Sequence, residues 1–135
     1  MASLLAKNYV LHAAPTGSPH NVTVLEVMSD HATISWDPPH SDLHNGIIRE
    51  YLLEVTEEKG GQTVIYKSGT TFSLIDNLHP DYSYTVRVAG HTVEVGPYSD
   101  SVDLHTLEDG MFKYSELHRP LKYNFPKRFR CNRYV

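Results

Sequence analysis

A chain of 135 residues is long enough for one domain with a real core plus an extra segment. Its 40% apolar and 21% charged content is ordinary for a globular fold, and no window approaches ~18 uninterrupted apolar residues, which excludes a helical membrane span. The net charge of −4 hides a split: residues 113–135 carry seven basic residues against one acid, a local +6 that leaves −10 on the rest.

In chain order, the start "MASLLAKNYVLHAA" is a poor secretory signal, because Lys7 follows the first apolar residues instead of preceding them. From Val22 onward, short runs alternate apolar and polar side chains, the mark of strands with one buried and one wet face. The spacing predicts strands at 22–27, 32–36, 51–55, 62–67, 71–76, 82–90 and 101–106. Pro38-Pro39, Asn45-Gly46, Gly60-Gly61, Pro80 and Gly96-Pro97 punctuate them, with Gly60-Gly61 read as a hairpin turn. No stretch before residue 110 has helical periodicity. Seven short strands closed by turn residues read as an all-β, seven-stranded antiparallel β-sandwich. Pro38 cannot donate to a ladder, so the strand of "ATISWDPPH" must stop there, leaving Trp36 as its last inward residue and a plug for one end of the core.

From about Pro15 to Leu107 these residues resemble the fibronectin type III domain, an immunoglobulin-like sandwich. "ATISWDPP" looks like its second strand and "NGIIREYLLEV" like its third. Leu78, Pro80 and Tyr84 sit at the family's L-x-P-x-x-x-Y spacing, and "GPYS" matches the start of its last strand. The resemblance implies a fold that requires no disulfide, in keeping with the single Cys131, and a tyrosine corner in which the Tyr84 hydroxyl bonds nearby backbone to pin a crossover. The expected structural residues are Trp36, Tyr51, Leu53, Leu78, Pro80, Tyr84, Val86 and Val88. The expected divisions are an N-terminal extension at 1–13, the domain at 14–108, and a disordered basic, aromatic tail at 109–135.

Chemistry-bearing motifs are sparse. There is no Gly-rich phosphate loop and no G-x-S-x-G, so no catalytic residue, cofactor or small-molecule substrate is expected. His40 and His44 flank Asp42, but a zinc site needs further ligands and a loop does not align them, so no metal is expected. Glu57-Glu58 beside Gly60-Gly61 reads as a solvated charged tip. Asn21-Val22-Thr23 is an N-glycosylation acceptor at the edge of the first strand, and Asn21 is the expected modification site. Lys122, Lys127, Arg128, Arg130 and Arg133, interleaved with aromatics, suit a heparin-like polyanion; a solvated tail, or one folded back on the acidic domain, is the plainer reading. No Arg-Gly-Asp occurs, and the loop from His91 to Gly96, where the family often places recognition, names no ligand.

The expected function is therefore non-catalytic: an interaction or spacer module of an extracellular or cell-surface adhesion or receptor protein, with a protein partner. The alternatives are an intracellular scaffold module of the same fold and polyanion binding through the tail.

Overall fold

Alternation along each run decides which side chains turn inward, and the strands follow from it. The computed structural model describes residues 13–109 and the backbone of Asn132–Arg133. The strands are β1 (His20–Val27), β2 (Ala32–Asp37), β3 (Glu50–Glu57), β4 (Thr63–Ser68), β5 (Phe72–Ile75), β6 (Ser83–His91), β7 (Val95–Tyr98), β8 (Val102–His105) and β9 (Asn132–Arg133). Among the described residues the strand pairings are antiparallel. One sheet runs β5-β2-β1-β9, and the other runs β4-β3-β6 with β7 and β8 sharing the far edge of β6.

Ala32, Ile34 and Trp36 of β2 face Tyr51, Leu53 and Val55 of β3 and Tyr84, Val86 and Val88 of β6 in one buried cluster. Ile34, Leu53, Val86 and Val88 are wholly removed from water. Each such side chain contributes roughly 1.5–3 kcal/mol of burial free energy. Trp36 ends the inward series, and its ring meets Tyr51 edge-on at 5.4 Å. β3 turns into β4 over Glu58–Gly60 with Gly61 at φ +66°, closed by Glu57 N–H to Gln62 O at 2.9 Å.

The sandwich expected from the sequence is present, with differences in its last strand. The run placed at 101–106 starts earlier and comes in two pieces, β7 and β8, because Gly96-Pro97 lies inside an edge strand instead of before one, at the place where the resemblance put the start of the last strand. An edge tolerates Pro97, since its missing N–H faces away from the ladder. The break at Ser99–Ser101 is bridged by a side chain: Ser99 N–H donates to Val88 O at 2.7 Å, and Ser99 Oγ accepts from Val88 N–H at 3.0 Å. β9 lies beyond the seven expected strands; it pairs with Glu26 and Val27 of β1. The other residues of the basic tail, including Lys122, Lys127, Arg128 and Arg130, lie outside the described residues.

Candidate interaction surface

The corner opposite the loops is held first by tyrosine chemistry. The Tyr84 hydroxyl accepts from His79 N–H at 2.7 Å, five residues upstream, as a tyrosine corner requires. Burial raises the Tyr84 phenol above its ordinary value of 10.0, more than the His79 hydrogen bond lowers it. From the other side, Thr106 Oγ1 accepts from Tyr82 N–H at 2.9 Å and donates to His79 O. Thr106 is nearly sealed from water, a role that alternation alone does not announce. Pro80 is exposed in the Pro80–Asp81 turn and is no part of the core, because Asp81 turns the chain outward there at φ +52°. It shapes the corner and does not fill it. Glu57 also departs from expectation: its side chain is only 17% exposed and lies 3.5 Å from His79 Nε2, so it packs under the corner while Glu58 stays in solvent.

Beside that corner, Ser83 Oγ meets His105 Nδ1 at 2.7 Å, and His105 Nε2 meets Asp81 Oδ1 at 2.9 Å. The order serine–histidine–aspartate resembles a nucleophilic relay. Its setting does not: His105 and Asp81 are 55% and 69% exposed, so water competes at both ends. Ser83 and His105 are register partners across β6 and β8, and the contact is a clasp between those strands.

The loop pole is built from three segments. After Pro38-Pro39 the chain makes one 3-10 turn at Ser41–Leu43 and reverses at Asn45 (φ +53°) and Gly46 (φ +136°). Leu43 O accepts from Thr16 N–H at 2.9 Å, and Asn45 Nδ2 donates to Ala14 O at 3.1 Å. Across the pole, buried Thr92 donates its hydroxyl to Ala13 O at 2.8 Å, and Arg49 N–H donates to His91 O at 2.9 Å. Close approach demands Gly96 here, since a Cβ would stand 2.9 Å from the Pro15 carbonyl oxygen. The pole is thus a cross-braced surface. On it Ile47 is 82% and Val93 51% exposed, and they border a shallow hollow with Gly46, Arg49 and Thr92. The recognition loop expected at His91–Gly96 is shorter than its sequence suggests, because Val95 and Gly96 already belong to β7. Ile47 and Arg49 on the facing loop carry no motif, and only the folded pole brings them to Val93.

The two imidazoles around Asp42 are engaged apart. His40 stacks on His20 at 5.6 Å between centroids, and His44 Nε2 meets Pro39 O at 2.7 Å. Among the described residues no group of three or more metal-ligating side chains converges. Asn21 is exposed at φ +52°, its Nδ2 donating to Asp37 Oδ2 at 2.7 Å, and Thr23 Oγ1 donates to Asn21 O at 3.0 Å.

With this geometry in hand, the family model for the fibronectin type III domain matches residues 17–105. The chain belongs to the fibronectin type III family. Cell adhesion molecule DSCAML1 of Mus musculus is 33% identical over 105 residues, covering 72% of this chain and 5% of that protein. Protogenin of Mus musculus is 34% identical over 103 residues, covering 72% and 8% respectively. The fibronectin type III chain therefore spans under a tenth of the length of these curated relatives. Among solved structures, the FN5 domain of Drosophila Lar superposes with a TM-score of 0.57 at 25% identity, covering 70% of this chain and 98% of that one. The third fibronectin III domain of human KIAA0343 protein superposes with a TM-score of 0.64 at 22% identity, covering 72% and 86%. This fibronectin type III chain is a non-catalytic interaction or spacer module. No helix among the described residues is long and apolar enough to cross a membrane.

Proposed function

We propose that the chain serves as an extracellular adhesion- or receptor-type module and meets a protein partner through the loop pole around Ile47, Arg49 and Val93. The observation that carries this reading is the exposure of two apolar side chains beside a guanidinium on a braced surface. Such a surface loses little freedom on binding, and apolar residues with arginine are what interface centres favour. Two relatives, a cell adhesion molecule and a receptor-type tyrosine-protein phosphatase F, support the cell-surface setting.

Clustered protein presented to intact cells tests the pole. Ile47→Asp and Val93→Asp should each weaken binding by about tenfold or more. Lys67→Glu on the side of the sandwich should leave it unchanged. Equal binding by all three variants overturns the assignment. The setting is tested by mass before and after N-glycan removal. A glycan on Asn21 would replace one of the two hydrogens on the Nδ2 that donates to Asp37 Oδ2. An unmodified Asn21 turns the reading toward the intracellular scaffold.

A second reading has its own observation, the +6 of residues 113–135. There Lys122, Lys127, Arg128, Arg130 and Arg133 hold a heparin-like polyanion. Retention on immobilised heparin that falls steeply with salt supports it, and retention unchanged by replacing those five with Gln removes it.

A further inference from the structure

The geometry points to the outer edge of β4 as a strand-pairing site, and to a second copy of this chain as its occupant. β4 ends its sheet, with β3 on one side. Glu57 N–H donates to Gln62 O, and the β3–β4 register runs from Thr56–Thr63 to Tyr51–Ser68 without a bulge. Antiparallel ladders alternate, so Val64, Tyr66 and Ser68 turn their backbone groups toward β3. Thr63, Ile65 and Lys67 turn theirs outward, and among the described residues no strand pairs with that edge. Proteins guard such edges with prolines, bulges or covering groups. β7 carries Pro97 and a register shift against β6. On β5, Phe72 O accepts from Ser68 Oγ and Thr70 Oγ1, and just past it Asp76 O accepts from the Tyr66 hydroxyl. β4 has neither proline nor bulge, and it exposes Val64 and Ile65 at 44% and 45%.

The sequence of β4 complements itself. A two-fold axis normal to the sheet makes the pair antiparallel, and outward residues must then face outward residues. An axis at Ile65 sets Ile65 against Ile65 of the second copy, Thr63 against its Lys67 and Val64 against its Tyr66. All three outward residues of each copy are then paired. An axis at any other residue of β4 pairs fewer of them, and one at Lys67 sets two ammonium groups face to face, which is destabilising. With the axis at Ile65, Lys67 meets a neutral threonine and keeps Glu50, 3.6 Å from its Nζ, as its counter-charge. The two exposed apolar side chains of β4 find apolar or aromatic partners, and such cross-strand pairs stabilise a sheet. The two five-stranded sheets become one. A single edge of this length buries less than the about 1,200 Å² at the lower end of standard interfaces, so the dimer is weak and forms between micromolar and millimolar concentration.

Sedimentation of the full chain over a concentration series reads the pairing. The average mass should climb toward that of a dimer by roughly 1 mM. Ile65→Lys lies opposite Glu54 within its own sheet, which suits the fold, yet it sets two like charges at the axis. It should weaken association by about tenfold or more while the urea midpoint is kept. Ile47→Asp, on the loop pole, should leave association as it is. Cross-linking in a Cys131→Ser background reads the register. Ile65→Cys brings its two copies to about 5.5 Å between Cα atoms, within disulfide reach, whereas Thr63→Cys holds them about 14 Å apart. Under glutathione oxidation the first should give a covalent dimer and the second should not. A chain that stays monomeric at every concentration overturns self-pairing and leaves the edge to a strand of another protein. Association untouched by Ile65→Lys, or equal cross-linking at the two positions, overturns the site.

Discussion

Tyr84 shows how a single polar atom can hold a crossover. Its ring belongs to the buried cluster, while its hydroxyl is the acceptor that His79 N–H uses. Tyr84→Phe keeps nearly all of the ring's packing and leaves that N–H without a partner. It should cost about 1–3 kcal/mol, read as a lower denaturant midpoint at unchanged slope. Trp36 is the opposite case. Its indole Nε1 is buried and has no hydrogen-bond partner among the described residues, so the residue contributes by packing and in spite of its N–H. Trp36→Ala should cost about 3–5 kcal/mol. Trp36→Phe should cost distinctly less, because it removes an unpaired donor along with part of the ring. Urea titrations of the two variants check the order; equal losses would mean that the N–H has a partner.

At the level of elements, the split edge strand is where sequence and structure part. The inner strands were legible because period-two alternation reflects burial on one face, and β2, β3 and β6 lie within two residues of where the pattern places them. β7 was legible only through the resemblance of "GPYS" and not through alternation, since an edge strand needs neither alternation nor a continuous ladder, and Gly96-Pro97 has the chemistry of a turn. Its repair by Ser99 leaves no trace in the pattern, because the serine works through a hydroxyl and not through hydrophobicity. Ser99→Ala should leave Val88 N–H short of an acceptor in the buried centre of β6 and cost about 1–3 kcal/mol. Exchange at Val88 should quicken first. The loop pole was half legible: the loop bearing Val93 is marked by its place between strands, whereas Ile47 and Arg49 reach it only through the reversal at Asn45-Gly46. The short β9 pairing depends on residues far apart in the chain, and two residues carry no periodicity to read.

For the whole molecule, the distribution of buried phenols sets a limit on alkaline stability. Burial raises Tyr51 and Tyr84 above 10.0, and both rings sit in the single core between the sheets. Tyr66, which donates to Asp76 O across the gap between β4 and β5, is raised by burial and then by the charges of Asp76 and Tyr84. Each of these groups holds its proton more tightly folded than unfolded. Their contribution is therefore intact below pH 10.0 and is lost as pH climbs through the raised folded values. In that window the folded state binds more protons than the unfolded one, so stability falls by up to about 1.4 kcal/mol per pH unit for each such tyrosine. Because Tyr51 and Tyr84 share one core, they should ionise together with unfolding and not one at a time. The phenolate absorbance lost in Tyr51→Phe, taken as a difference from the unaltered chain, should rise together with the change in tryptophan fluorescence in one alkaline transition above pH 10.0. Tyr51→Phe keeps the ring and removes one linked proton, so it should reduce the slope of stability against pH in that window. An unaltered slope, or that difference absorbance appearing well before the fluorescence change, would show that the Tyr51 hydroxyl reaches water in the folded protein.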